Sequence, residues 1–313
     1  MTMRLLQQGK KWLKMLRGKS ILHVLQDEGK VFSIDEIRGY YNNFTEKLLK
    51  PGALIDETGL VYNLTHEGKH VYFSIAIFQY GLGAYDLYLI TGQEKFRQLF
   101  MHSVNWAIQN QQPNGAWDTF SVVGMANPYS AMAQGEGASL LARAYVETGD
   151  ADFLRAAKQA VDFMCLSVVD GGCSEYVDEK MRFKEYIDGP VVLNGWIFSI
   201  WGLYDYFKAS RDPSYSDLVQ KAVHSLAAEI SLFDSSYWSQ YDMGGKLASP
   251  FYHQLHIAQL RVMHDLFAEN IFLEYAEKWQ RYQQNRLYAS WAIAVKGYQK
   301  LTEKNSGQSI IVG

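Results

Sequence analysis

Apolar positions along this chain recur at helical spacing, and the recurrence itself repeats. A helical run ends at Thr91-Gly92 and another begins at once; the same break returns at Thr148-Gly149-Asp150, Arg211-Asp212-Pro213 and Glu269-Asn270. These breaks lie about 57 to 63 residues apart, which marks a repeated helical hairpin. The first helix of each unit is rich in glycine, alanine and aromatics, as in residues 135–145 and 194–206. The second is amphipathic: Phe153, Ala157, Val161 and Met164 form one stripe, with Arg155, Lys158 and Asp162 elsewhere. An apolar helix beside an amphipathic one predicts an inner and an outer layer. The fold class expected is therefore mainly α, an incomplete α/α toroid of helical hairpins.

The N-terminal part reads differently. Ser33 and Glu36 fit a capping box, which predicts a helix running towards Leu49 and stopping before Pro51. Over residues 54–73 the turn-like Asp56-Glu57-Thr58-Gly59 and the alternation of Leu60, Tyr62 and Leu64 predict a small β-hairpin. Residues 66–70 form a polar loop. The division expected is 1–72, packed on the main body, and 73–313, the toroid. Ahead of this, Leu5, Leu6, Trp12, Leu13 and Leu16 share a helix face ringed by Arg4, Lys10, Lys11, Lys14 and Arg17. Packing on the body is the preferred reading of that helix; peripheral contact with a membrane surface is the other.

Each amphipathic helix leads into a glycine- and aromatic-rich loop: Asn114 to Trp117, Gly171 to Tyr176, and Tyr237 to Tyr241. The repeat puts all three at one end of the toroid, where a binding cleft is expected. Residues 236–260 close that end. If Pro250 opens a helix, Tyr252, His256 and Gln259 share a face at i, i+4 and i+7. Polar groups at the mouth of an apolar helix are either paired or used. Two further clusters converge there: residues 127–136, with Tyr129 and Gln134, and residues 184–195, with Glu185, Tyr186, Asp188 and Asn194.

Composition sharpens this only in part. The net charge of −3 gives no footprint for nucleic acid. Aromatics make up 14% of the chain, 21 of them tyrosine, which suits a wet cleft with apolar walls such as a carbohydrate site; large helix interfaces consume aromatics equally well. Cys165 and Cys173 are no disulfide framework, and a reducing, cytoplasmic setting is the simpler reading. No apolar run is long enough to span a membrane.

Several of these segments together resemble the C-terminal helical domain of the heparosan D-glucuronyl C5-epimerases. They are residues 128–135, Glu185-Tyr186 followed by Val192-Leu193-Asn194-Gly195, Gly202-Leu203-Tyr204-Asp205, Tyr241-Asp242, and Tyr252-His253 with His256 and Gln259-Leu260. The likeness runs in order over about residues 72–286. It implies a polysaccharide epimerase that inverts C5 of D-glucuronate to L-iduronate in a heparosan-like glycosaminoglycan, a reaction that requires no redox cofactor; no metal ligands are expected in this chain. Inversion removes the proton α to the carboxylate and returns one on the opposite face, so two opposed proton-transfer groups are needed. The resemblance assigns these to Glu185 and Tyr252, with Tyr186 and Tyr241 donating hydrogen bonds or relaying protons. It places Tyr129, Gln134, Asn194, His253 and His256 around the substrate. Trp117, from the first loop, is added as a lining residue, and Lys246 as a source of positive charge beside Arg182 and Lys184. Phenols are weak bases near neutrality, so Glu185 is expected to take the proton and Tyr252 to supply the new one.

There are departures. A large N-terminal β-rich region of the animal members has only the small hairpin as a counterpart, so their calcium site is not carried over, and Met243-Gly244-Gly245 stands where they carry a basic residue. Other readings stay open. A uronate lyase shares the first step, and a glycoside hydrolase needs a second carboxylate, for which Asp188 or Asp242 is available. A non-catalytic polysaccharide-binding module is the third. His253 and His256 as metal ligands lack a third partner. The expected partner is an anionic uronic-acid polysaccharide, and a homodimer is compatible with the sequence.

Overall fold

The computed structural model describes residues 26–65 and 68–302; the basic N-terminal helix expected at residues 4–17, and His66 and Glu67 of the polar loop, lie outside them. Four helical hairpins follow one another: α1 (Ser74–Thr91) with α2 (Glu94–Asn110), α3 (Ala131–Thr148) with α4 (Ala151–Cys165), α5 (Leu193–Ser210) with α6 (Ser216–Glu229), and α7 (Pro250–Phe267) with α8 (Asn270–Gln284). A last helix, α9 (Arg286–Thr302), packs on α8. This is the incomplete α/α toroid that the repeat spacing predicts. The layers sort as expected. In α3 every residue from Ala131 to Ala144 is buried, whereas α4 buries one stripe that includes Phe153, Ala157, Val161 and Met164. Inner helices α3 and α5 touch backbone to backbone: a Cβ on Gly202 would stand 2.2 Å from the Gly135 carbonyl oxygen. The small residues at the start of α3 are thus spent on a neighbouring helix.

The β-hairpin expected over residues 54–73 is a three-stranded antiparallel sheet: β1 (Leu54–Ile55), β2 (Val61–Leu64) and β3 (His70–Val71), with Leu54 opposite Tyr62 and Asn63 opposite Val71. A second hairpin, β4 (Ser174–Val177) and β5 (Lys180–Phe183), was not expected.

The helix predicted behind Ser33 does not form. The Ser33 hydroxyl does accept from the Asp35 and Glu36 amides, at 3.2 and 3.3 Å, but only Glu46–Leu49 is helical. The intervening chain is pulled inward. Tyr40, Tyr41 and Phe44 are fully enclosed, with Tyr40 stacked on Phe44 and edge-on to Trp201, and Gly29 donates to the Tyr41 carbonyl at 2.8 Å. Burying three aromatic rings outweighs the small preference for helix. This segment is anchored by a buried polar cluster. Arg143 pairs with Asp205 at 2.5 Å and donates to the Gly39 carbonyl at 2.8 Å; Tyr41 donates to Asp205 at 2.6 Å, and the Tyr40 amide to Asp86 at 2.8 Å. Asp86, Arg143 and Asp205 occupy the same place in α1, α3 and α5, about 18 Å from the helix starts. The cluster therefore closes the end of the toroid away from the loops.

Candidate active site

The loops that return from outer to inner helices are tied together by main-chain bonds. The Lys184 amide donates to the Cys173 carbonyl, and the Ala131 amide to the Lys184 carbonyl, both at 2.9 Å, so β5 feeds directly onto the start of α3. The Leu193 amide donates to the Tyr241 carbonyl at 3.1 Å and Met243 to Val191 at 2.9 Å, which lays the third loop along the start of α5. Ser249 caps α7, accepting from the Tyr252 amide at 3.3 Å. Three separate segments thus deliver Glu185 with Tyr186, Tyr241, and Tyr252 to one place.

These four side chains form a coupled set. Glu185 is 4% exposed, and its Oε2 has no hydrogen-bond partner among the described residues. Burial pushes its carboxyl up to about 7, with hydrogen bonding to the Tyr186 phenol pulling the other way. The nearby Glu185 charge, and then burial, hold the Tyr186 phenol well above its usual value. Burial does the same for Tyr241 and Tyr252, with the Glu185 charge as the second cause. Tyr186 hydrogen-bonds to Tyr241, and Tyr241 to Tyr252, whose rings meet edge-on at 4.8 Å. The result is a continuous run of exchangeable protons: one carboxyl poised near neutrality and three phenols that stay protonated. Glu185 fits only because position 195 lacks a side chain; a Cβ there would stand 2.5 Å from Oε2.

The remaining expected residues divide. Gln134, Asn194, His256 and Gln259 are buried on the inner helices; the Gln134 amide, Asn194 Oδ1, Gln259 Oε1 and His256 Nε2 have no partner among the described residues. Gln259 donates to the Asn194 carbonyl at 3.4 Å, and His256 shares the Tyr252 face. Tyr129 is half-buried, donates to Gln112 at 3.1 Å and lines a cleft beside Ile187 and Asp188. Three expectations need correction. Trp117 is a core residue, 1% exposed, its indole N–H on the Ala107 carbonyl at 2.9 Å and its ring edge-on to Phe78. His253 is a structural pillar. Its ring lies flat on Trp238 at 3.6 Å, Nδ1 accepts from Ser239 and Nε2 meets the Trp279 carbonyl at 3.0 Å. Burial lowers it to about 3, so it stays neutral. Arg182 is committed to a fork on Glu229, at 2.7 Å from each nitrogen, and is no source of free charge. Lys246 is half-buried, and its carbonyl accepts from the Tyr241 amide at 2.6 Å, so its backbone fixes the phenol's loop. Among the described residues no group of three or more His, Cys, Asp or Glu side chains is placed to hold a metal ion.

Two residues escaped the sequence reading. Glu136 is a second enclosed carboxyl, accepting from Gln79 at 2.8 Å and held well above its usual value by burial, with the Glu185 charge adding to the rise. The quoted cluster at residues 127–136 contained it, but nothing in the pattern separated it from a surface carboxylate. Lys296 of α9 lies 5.9 Å from the centre of the Tyr241 ring, beyond the stretch that carried the resemblance.

Comparison with known proteins bears on this arrangement directly. Residues 113–281, which hold Glu185, Tyr186, Tyr241 and Tyr252, match the D-glucuronyl C5-epimerase C-terminus. The chain belongs to that family. A D-glucuronyl C5-epimerase of Caenorhabditis elegans is 26% identical over 219 residues, covering 61% of this chain and 36% of the worm protein. An uncharacterized protein of Methanocaldococcus jannaschii is 27% identical over 143 residues, 44% of this chain and 46% of the archaeal one. The chain therefore spans between a third and a half of the curated relatives it matches. Among solved structures, a D-mannose isomerase aligns with a TM-score of 0.51 at 13% identity, over 75% of this chain and 66% of that one. A cellobiose 2-epimerase from Spirochaeta thermophila gives 0.51 at 11%, over 76% and 65%. These two show a shared fold. As a member of the C5-epimerase C-terminus family, the protein keeps its four coupled acids within the matched stretch, while α9 and Lys296 lie outside it.

Proposed function

We propose that the protein inverts C5 of D-glucuronate residues in a heparosan-like polysaccharide, giving L-iduronate, by removing the C5 proton and returning one on the opposite face. The observation that carries this reading is Glu185: a buried carboxyl poised near pH 7, with an unpartnered oxygen, at one end of a hydrogen-bonded run of three phenols. A general base works best when its proton affinity is close to the ambient pH. Glu185 takes the proton from C5, and the electron pair moves onto the substrate carboxylate. The neutral Tyr252 phenol then gives its proton to C5 from the other face. Glu185 is left protonated and Tyr252 ionised. Tyr186 and Tyr241 carry the proton back between them and reset the site. The Gln134 amide, whose Nε2 has no partner among the described residues, is the donor that holds the substrate carboxylate as charge develops on it.

Incubation with heparosan in deuterated water, followed by NMR at C5, tests the reading. Inversion with solvent deuterium entering at C5 is expected from the wild type, and none from Glu185→Gln or Tyr252→Phe. Full inversion by both variants overturns it. An unsaturated, ultraviolet-absorbing product identifies a lyase, in which the same carbanion expels the C4 substituent. Binding without any exchange identifies a polysaccharide-binding module.

A further inference from the structure

The helix that follows the fourth hairpin packs on the loop that carries Tyr241. Along α9, Ala289, Ala292, Lys296 and Gln299 recur at i, i+3, i+7 and i+10 and share one face. Ala292 is buried with Trp238, Leu247 and Ala248 in a small apolar cluster, and Ala289, Val295, Tyr241 and Tyr252 pack against it. Lys296 stands 5.9 Å from the centre of the Tyr241 ring. The loop itself folds back: the Tyr241 amide donates to the Lys246 carbonyl at 2.6 Å, and the Ala248 amide to the Ser239 carbonyl at 3.0 Å. Strand alternation turns the groups between these, the Leu247 N–H and the Gly245 carbonyl, to the outer side, where backbone polar groups need other partners. Gln299 supplies both. Its Oε1 accepts from the Leu247 amide at 3.0 Å, and its Nε2 donates to the Gly245 carbonyl at 3.2 Å. A primary amide can do this because it holds a donor and an acceptor in one plane. One side chain of α9 thus stands in for a neighbouring strand.

We propose that Gln299 is a positioning residue for the reaction, holding this loop so that the Tyr241 phenol bridges Tyr186 and Tyr252 while the proton returns from Glu185. The proposal rests on the function argued above and brings into it a helix beyond the matched residues 113–281. Each forward turnover leaves Glu185 protonated and Tyr252 ionised. The site resets when Tyr252 takes the Tyr241 proton, Tyr241 takes that of Tyr186, and Tyr186 takes that of Glu185. Each transfer crosses one hydrogen bond and stops once the phenols are out of reach of one another. Without Gln299, two backbone groups of the returning leg lose their partners, and the Lys246 carbonyl that fixes the Tyr241 amide is no longer held. Inversion itself needs Glu185 and Tyr252, which stand on other segments. The first turnover therefore survives, and the reset before the next one slows.

The test uses the full chain, as wild type, Gln299→Met, Tyr241→Phe and the double variant, with heparosan oligosaccharides. C5 inversion is followed by rapid quench in a single turnover, with enzyme in excess, and in the steady state. Gln299→Met keeps the side-chain volume and removes both bonds. It is expected to lower kcat about tenfold, with the single-turnover rate and kcat/KM within about twofold of the wild type, because a slow reset of the free enzyme enters kcat alone. Tyr241→Phe shows the same split, and Gln299→Met adds nothing further in that background, since both changes break one relay. Gln299→Glu keeps the bond from the Leu247 amide and loses the donor; its kcat is expected to lie between, and it carries the test if Gln299→Met does not fold. Unchanged kcat in the folded Gln299 variants, an equal loss in the single turnover, or losses that multiply with Tyr241→Phe overturn the positioning role and leave the reaction standing. No inversion by the wild type overturns the function on which the role rests.

Discussion

At the scale of single residues the site depends on the seat of one carboxyl. Glu185 lies against Gly195, where an added Cβ would come within 2.5 Å of Oε2 and 2.8 Å of the Glu185 Cβ. Gly195→Ala must therefore push the carboxyl aside, and a shift of about 1 Å is enough to lower kcat on the order of a hundredfold. Steady-state kinetics on the folded variant checks this, with KM changing much less than kcat. Glu185 also leaves a thermodynamic signature. Its carboxyl is raised from 4.5 to about 7, so between those values the folded state binds more protons than the unfolded one. Stability is then greatest below about pH 4.5 for this group, falls as pH rises through the window, and is level above it. The full difference is about 3 kcal/mol. Asp86, raised to about 7 by burial, acts with the same sign. Glu185→Gln is expected to abolish inversion and to raise the denaturation midpoint at pH 8 relative to the wild type, the gain shrinking towards pH 4.5. A variant less stable than the wild type at pH 8 contradicts the burial of a charge-bearing Glu185. Glu185 and Tyr252 were legible in the sequence through several motifs in register. The seat at Gly195 was not, because contact between residues from different elements leaves no periodic trace; Trp117 was misplaced for the same reason.

At the scale of elements, the hairpin repeat was legible because breaks between helices need a left-handed residue, and glycine marks it cheaply. Gly92 and Gly149 take this conformation at the ends of α1 and α3, with φ of 67° and 74°. The ends of α5 and α7 use Arg211 and Ala268, at 56° and 55°, where L side chains carry a cost of about 1 kcal/mol. Ala268→Gly relieves that strain at an exposed turn and is expected to stabilise the fold by about 0.5–1 kcal/mol, read as a shift in urea midpoint at constant m-value. The β4–β5 hairpin escaped notice for the converse reason. Its two turn residues, Asp178 and Glu179, have φ of 48° and 65°, a geometry normally announced by Asn-Gly or Asp-Gly. The hairpin is nonetheless what carries the chain from Cys173 to Glu185, so a structural device central to the site was hidden by one unusual residue.

At the scale of the whole molecule, the two ends of the toroid do different work. The loop end gathers Glu185 and the three phenols, while the far end is sealed by residues 39–44 and held by the Arg143–Asp205 pair, both side chains fully buried. The sequence pointed to a helix at residues 33–49 because capping signals are local, whereas the enclosure of Tyr40, Tyr41 and Phe44 depends on a ring of inner helices that only the assembled fold provides. Arg143 also lies over the Tyr40 and Tyr41 rings, at 5.0 and 5.3 Å, so its charge is shared among one carboxylate and two aromatic faces. Removing one partner leaves a buried cation uncompensated. Asp205→Ala is expected to cost about 3–5 kcal/mol of stability, and exchanging both members for apolar residues of similar volume much less. The pair sits about 18 Å along α3 and α5 from the loop end. Folded Asp205→Ala protein, held well below its melting temperature, should therefore keep kcat within about threefold of the wild type, since sites this far apart with no shared partner act nearly independently. Chemical denaturation and a turnover assay on the same preparation separate the two effects. A large fall in kcat at full folding means that the sealed end also governs the geometry around Glu185, and that the toroid transmits strain from one face to the other.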